Sequence, residues 1–359
     1  MVTSMSADDG GFAFATRHSL AELRRRVGSL EQVAGVRLVT CADGPARGSR
    51  ILEFRSGGGL RFEVLVDRGF DIGHASMCDR TLSWVSPVGH VAPWFREPAG
   101  YGWLRTFGGG LVTTCGLDHS FGPRQSDASH FGYPAIEEVH LPLHGRVSSE
   151  PATLTSYGVV ESEEGVVLRA DGIVRQAAVF GEVLELRRRI ECDFGRAEIR
   201  IEDCVRNVGY RDTPHRLLYH VNLGFPLIDE STTVAVDSSN STTESRDVLT
   251  FGGPTIGTPE EVLQLRPEPD RNGMVRVRVD QRVGGLRVEQ RYDATTLPYL
   301  LIWKVSQEGM YVLGVEPSTD PAPSSSVPEA TLMLGPGEER SYKLALSANP
   351  SQAANDTVC

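Results

Sequence analysis

No stretch of this chain approaches the roughly 20 consecutive apolar residues that a membrane-crossing helix requires. Positive charge is also scarce. The 36 Lys and Arg stand against 47 Asp and Glu, a net charge of -11, which argues against a surface built to neutralise nucleic-acid phosphates. The six cysteines (Cys41, Cys78, Cys115, Cys192, Cys204 and Cys359) contain no CxxC pair and no zinc-ribbon spacing, so they are expected as thiols, mostly buried. Residues 1–10 are small, polar and acidic with no charged-then-apolar leader, and the expected location is the cytoplasm. A phosphate-cradling loop is missing too. Gly108-Gly109-Gly110 and Gly116 lack GxGxxG spacing and no Walker lysine follows, which leaves close backbone packing or a loop near a ligand. Helical periodicity is nearly absent: only from Ser19, placed as an N-cap, do Leu20, Leu23, Val27 and Leu30 recur at helical spacing.

What is present is β-type. Residues 50–55 and 60–66 flank Ser56-Gly57-Gly58-Gly59 and read as a hairpin. Runs at 166–170, 173–180, 183–192 and 197–205 follow. The last alternates Ile199, Ile201 and Asp203 on one side with Arg200, Glu202 and Cys204 on the other. Residues 216–222, 274–279, 286–292, 299–305, 311–315 and 342–348 complete the set. Strand after strand with almost no helix predicts an all-β, mainly antiparallel sandwich. With 40% hydrophobic and 23% charged residues, the chain can bury a substantial core. The simplest organisation is one domain over 17–348 between a flexible N-terminus (1–16) and a flexible C-terminal tail (349–359). A split near Ser156 competes with it but has no linker composition behind it. Residues 317–328 (PSTDPAPSSSVP) read as a loop rimming whatever Glu316 does.

Three stretches each offer a proton-handling side chain: Leu143-His144-Gly145-Arg146, Tyr219-His220-Val221-Asn222 and Gly314-Val315-Glu316-Pro317. Strand alternation puts Leu218, His220 and Asn222 on one face, and Tyr219, Val221 and Leu223 on the other. Buried polar groups on a shared face need partners, and a ligand is one way to supply them. A carboxylate at the end of the apolar run 311–315 has its pKa raised, which suits a base working near neutral pH. Asp67-Arg68-Gly69 is either a salt-bridged turn or an arginine reaching into a polar pocket. Cys115-Gly116-Leu117-Asp118-His119 reads as a turn with a polar rim, against a Cys–His nucleophilic pair.

Taken together and in order, these stretches resemble the aldose 1-epimerase (galactose mutarotase) superfamily, in a poorly characterised epimerase-like branch, over roughly residues 45 to 348. Leu143-His144-Gly145 resembles a segment with a substrate-contacting histidine, Tyr219–Leu223 the strand with the general acid, and Gly314–Pro317 the strand with the glutamate base. Arg146 stands where a second glycine is more usual, and Val221 replaces an aromatic residue. The resemblance implies a galactose mutarotase-like β-sandwich with a short N-terminal helix and a sugar lying across one concave sheet. It implies an isomerase interconverting sugar anomers, with Glu316 as base and His220 as acid. His144 and Arg146 would hold hydroxyls, assisted by Arg68, Asn222 and His119. That chemistry needs no cofactor. The alternatives are a metal-assisted sugar isomerase, using His119, His144, His220 and Glu316 as ligands for a divalent ion, and a carbohydrate-binding protein without turnover. The expected partner is a small free sugar, with no nucleic acid or membrane, and the expected state is a monomer or homodimer. Arg68 and Arg146 would suit a carboxylated or sulfonated sugar, although neutral sugars take arginine contacts as well.

Overall fold

The computed structural model describes residues 18–97, 99–132, 137–162, 165–237, 247–323 and 332–350. Alternating apolar side chains give most of these strands one face that must leave water, and two large antiparallel sheets bury those faces against each other. The eleven-stranded sheet runs in the order Gly35–Thr40, Arg50–Arg55, Leu60–Leu65, Asp71–Met77, Val112–Leu117, Thr213–Gly224, Met310–Ser318, Tyr299–Gln307 and Glu261–Leu265, with two short strands at its sides. The nine-stranded sheet runs Ala152–Ser162, Gly165–Ala177, Val183–Asp193, Glu198–Asn207, Glu339–Pro350, Leu286–Asp293, Met274–Gln281, Thr232–Asp237 and Asp247–Thr250. This is the all-β sandwich expected from the strand pattern. The 50–55 and 60–65 hairpin pairs as expected, Phe54 stacking on Phe62. Among the described residues no helix is long and apolar enough to cross a membrane.

One apolar cluster fills the space between the sheets and takes side chains from both. A second cluster, built on Trp84, Trp103, Phe107, Leu218, Leu301 and Val312, covers the outer face of the eleven-stranded sheet. The middle strands Val112–Leu117 and Thr213–Gly224 are therefore buried on both faces. That explains why Val112–Leu117 escapes a search for period-two alternation: every one of its positions is inside.

The helix is shorter than its periodicity implies. Ser19 and Glu22 form a capping box and the helix runs Leu20–Arg24. Gly28 and Ser29 then interrupt it, and Ser29 caps a separate turn at Leu30–Gln32. The runs expected at 166–170 and 173–180 merge into a single strand, Gly165–Ala177. A Cβ on Gly172 would lie 2.8 Å from the Phe70 ring of the facing sheet, so the glycine makes room for packing instead of a turn. Cys41, Cys115, Cys192 and Cys204 are thiols, but Cys78 is disulfide-bonded, which corrects the all-thiol expectation. The last strand reaches Pro350, two residues into the stretch read as a tail; residues 1–17 and 351–359 lie outside the described residues.

A buried ionic group bridges the two sheets. Arg188, on Val183–Asp193, is completely buried and donates to Asp203 of its own sheet at 2.6 and 2.8 Å. It also reaches Asp71 (2.6 Å) and the Thr114 hydroxyl (2.8 Å) of the other sheet, while the Tyr219 hydroxyl donates to Asp203 at 2.6 Å. Removing one member of a buried ionic group strands the rest. Arg188→Met, which keeps the volume, should destabilise the fold by about 3–5 kcal/mol in urea unfolding.

Candidate active site

The outer face of the eleven-stranded sheet carries the polar residues singled out from sequence. Tyr219, Val221 and Leu223 enter the inter-sheet core, while Leu218 faces the outer aromatic cluster, and His220 and Asn222 share its side as alternation requires. On the neighbouring strand Leu313 and Val315 point to the core, and Glu316 therefore points outward. The register Leu218↔Ser318 and Val221↔Val315 sets His220 opposite Glu316. The Nε2 of His220 lies 3.4 Å from Oε1 of Glu316, and both side chains are buried. A Cβ on Gly314 would come within 2.4 Å of that same Oε1, so this strand position must be glycine for the carboxyl to lie where it does.

Asn222 decides which nitrogen of His220 carries hydrogen. Its amide nitrogen donates to the Gly110 carbonyl (3.1 Å) and the His220 carbonyl (2.8 Å), which turns Oδ1 toward the imidazole. The 2.6 Å contact from His220 Nδ1 to that oxygen must then be an Nδ1–H donation, leaving Nε2 bare in the neutral ring and aimed at Glu316. Burial pushes Glu316 up to about 8, helped by the Glu260 carboxylate. Burial holds His220 down at about 4 against the pull of Asn222. At neutral pH the pair is uncharged and holds one proton, on the carboxyl, beside a bare imidazole nitrogen.

Aromatic rings enclose the pair. His220 sits 5.4 Å from both Phe107 and Trp303, measured between ring centroids, and Trp103 stacks on Phe107 at 4.0 Å. Trp103 Nε1 donates to Ser148 and Trp303 Nε1 to Glu260. Cys115 is buried on this same face beside Glu316, and burial pushes its thiol well up, which removes the thiolate a Cys–His pair needs.

His144 reaches the site from a loop. Its ring stands edge-on to His220 at 5.6 Å and tilts against Trp103 at 4.6 Å. The backbone there is left-handed at His144 (φ 57°) and Gly145 (φ 71°), and a Cβ on Gly145 would collide with the Gly116 carbonyl at 2.2 Å. This close approach explains the glycine after the histidine. Burial, then the His220 and His119 imidazoles, hold His144 well below its usual pKa, and among the described residues its Nδ1 has no hydrogen-bond partner. His119 lies behind it, with Nε2 on the Gly122 carbonyl at 2.7 Å and a pKa held down at about 4 by burial.

The arginines divide. Arg146 is engaged by Asp118 at 2.6 Å and Glu182 at 2.5 Å, and lines a separate cleft with Tyr210 and Arg211. Arg68 is buried under the outer face next to Phe107 and Thr113, in a cavity of about 210 Å³. Thr113 pairs with His220 across the strands, so this cavity adjoins the His220–Glu316 pair. The glycines at 109 and 110 serve close packing: a Cβ there would meet the Trp84 and Ile72 carbonyls at 2.4 and 2.8 Å. Ala322, in the stretch read as a rim loop, packs into the aromatic cluster, whereas residues 324–328 lie outside the described residues.

The site thus brings together His220, Glu316, Asn222, His144 and, behind them, His119, with Arg68 alongside and Arg146 elsewhere. Among the described residues no three His, Cys, Asp or Glu side chains are arranged to hold a metal ion. The aromatic enclosure went unread in the sequence. Its signal was tryptophan: three of the four in the chain, Trp84, Trp103 and Trp303, stand here.

Comparison with known structures gives the same fold. A Klebsiella pneumoniae protein provisionally described as an aldose 1-epimerase superposes with a TM-score of 0.75 at 22% identity, over 90% of this chain and 87% of that one. A galactose mutarotase-like protein from Clostridium acetobutylicum gives 0.59 at 13% identity, covering 88% and 98%. A galactose 1-epimerase from Lactobacillus acidophilus gives 0.55 at 11% identity, covering 88% and 99%. No curated protein matches the sequence. The architecture is that of the galactose mutarotase-like β-sandwiches, and residues 46–348 match a family model described as a domain of unknown function, DUF4432, to which the chain belongs.

Proposed function

We propose that the protein is a carbohydrate isomerase that interconverts the anomers of a free sugar by acid–base catalysis between Glu316 and His220. One observation carries this reading. A carboxyl and an imidazole, 3.4 Å apart on adjacent strands, are buried so that they share a single proton near neutral pH. Mutarotation needs one group to take the proton of the anomeric hydroxyl and another to protonate the ring oxygen. With the anomeric hydroxyl and the ring oxygen of the sugar set against the pair, the shared proton passes from Glu316 to His220; Glu316 as carboxylate then takes the hydroxyl proton while His220 as imidazolium protonates the ring oxygen. The C1–O5 bond then breaks, the C1–C2 bond rotates, and reclosure on the other face returns both protons. The pair begins and ends with one proton, so no external acid or base is consumed.

His144 would hydrogen-bond sugar hydroxyls through its free Nδ1, against the Trp103 wall. Asn222 acts through His220, by fixing its tautomer. His119 buttresses His144, and Arg146 is left to its two carboxylates. The aromatic rings give the apolar faces of a sugar a surface to lie on and exclude water from the proton transfers.

Glu316→Gln and His220→Ala should each lower anomer exchange, followed by polarimetry or exchange NMR, by about 10²–10⁴-fold while remaining folded. Undiminished exchange in either variant would remove the assignment, and sugar binding without turnover in the wild type would make the protein a binder. Activity requires the pair to hold one proton. The profile of kcat/KM should therefore be flat between about pH 4 and about 8, falling below as His220 protonates and above as Glu316 ionises. Stability carries the same signature. Folded Glu316 keeps its proton up to about 8, whereas the unfolded group loses it near 4.5. The folded state loses stability as pH rises through that window, and Glu316→Gln should gain on the wild type in urea midpoint between pH 5 and pH 9.

A further inference from the structure

Arg68 is a buried cation, and the two acids nearest to it in the chain, Asp67 and Asp71, are already taken. Asp67 is held by Arg50, at 2.5 Å from its guanidinium and 2.7 Å from its backbone N–H. Asp71 receives Arg188 and the Thr114 hydroxyl on one oxygen and the Thr114 N–H on the other. Among the described residues Arg68 makes no ion pair; its guanidinium donates to the Val91 carbonyl at 3.2 Å. It lines the cavity of about 210 Å³ together with His90, Thr113 and the Gly108–Gly110 turn. Among the described residues, the buried His90 Nε2 has no hydrogen-bond partner. Asp71 acts on it only through space, being paired with Arg188; a guanidinium out of water with no acid in contact is costly, and a bound anion lowers that cost.

The cavity's place in the sheet says which part of a ligand would enter it. His220 lies on Thr213–Gly224; the next strand outward is Val112–Leu117, and the one after it, Asp71–Met77, follows directly on Arg68. Two strand spacings are about 9–10 Å, enough for one pyranose ring and the hydrogen bonds made at its two ends. Thr113 belongs to both regions, opposite His220 in register and in the wall of the cavity. The cavity also has an acid, Glu63, which accepts the His74 backbone N–H and is suited to take a sugar hydroxyl there.

We propose that Arg68 and His90 form an anion subsite, and that the substrate is an acidic aldose whose carboxylate or sulfonate, at the end remote from the anomeric carbon, pairs with Arg68. The direction in which the sugar lies rests on the anomer-exchange reading; the anion subsite itself does not. A planar fork of N–H donors matches two oxygens of such a group, and burial strengthens the pairing.

Exchange NMR on D-glucuronate, D-galacturonate and 6-deoxy-6-sulfoglucose, against D-glucose and D-galactose, reads the preference directly. Acidic sugars should exceed their neutral counterparts in kcat/KM by about tenfold or more, the worth of one charge-assisted bond. The carboxylate and sulfonate arms tell the two acids apart. In Arg68→Met the ratio of acidic to neutral rates should collapse toward one, whatever the absolute rates. Arg68→Lys should keep part of it, and His90→Leu should lower it if Arg68→Met fails to fold. Equal rates on neutral sugars in the wild type, or a ratio that survives Arg68→Met and His90→Leu, would overturn the subsite. If no sugar is interconverted, the anomer-exchange reading fails and calorimetry decides the subsite alone. Wild-type protein should bind D-glucuronate but not D-glucose, and Arg68→Met neither; no glucuronate binding to the wild type would overturn it.

Discussion

A guanidinium without access to solvent must find acceptors for its N–H groups inside the protein, and Arg188 finds them in both sheets at once. The inner-face residues it gathers are sequence neighbours of the outer-face residues of the site. Tyr219 precedes His220, Thr114 lies between Thr113 and Cys115, and Asp71 follows Arg68 by three residues. Because successive side chains on a strand point to opposite faces, fixing one face fixes the other. The ionic group between the sheets therefore sets the positions of the proton-handling pair and of the Arg68 cavity to within the stiffness of a strand. Hydrophobic packing alone would tolerate small slides of one sheet over the other; a buried cation with directed acceptors does not.

The chemistry on the outer face follows from withholding water. In a wet groove Glu316 would be a carboxylate and His220 half-protonated, two independent groups with ordinary affinities. Under Phe107, Trp103 and Trp303 they become one unit in which the carboxyl keeps its proton and the imidazole stays neutral. Three backbone features make that possible. Gly314 leaves the carboxyl room, Gly145 lets the His144 loop approach the sheet, and the Gly110 carbonyl anchors the Asn222 amide that orients the imidazole. Each works by geometry, and none carries a charge.

Much of this is legible in the sequence. Period-two alternation put His220 and Asn222 on one face and Tyr219 on the other, and it put Asp203 among inward residues, where it meets Arg188. What alternation does not carry is pairing across distant strands. Nothing local to Glu316 shows that its strand lies beside that of His220 instead of any other, and the ordered resemblance to a known superfamily supplied that step. The sequence does not show the partners of Arg146, because a charged residue beside a glycine looks the same whether it faces a ligand or two carboxylates 28 and 36 residues away in the chain. The strand Val112–Leu117 was missed because a strand buried on both faces has no period, and Gly172 because a packing glycine and a turn glycine read alike.

The tryptophan distribution has a spectroscopic consequence. Three of the four indoles pack around His220 and Glu316, whereas Trp94 stands largely in solvent. Indole emission responds to the polarity of its surroundings and is quenched by neighbouring imidazolium groups. The intrinsic fluorescence of the folded chain is thus mainly that of its cavity, with Trp94 adding a solvent-like background. Light emitted by the unlabelled protein carries information about what occupies the cavity and where its proton resides.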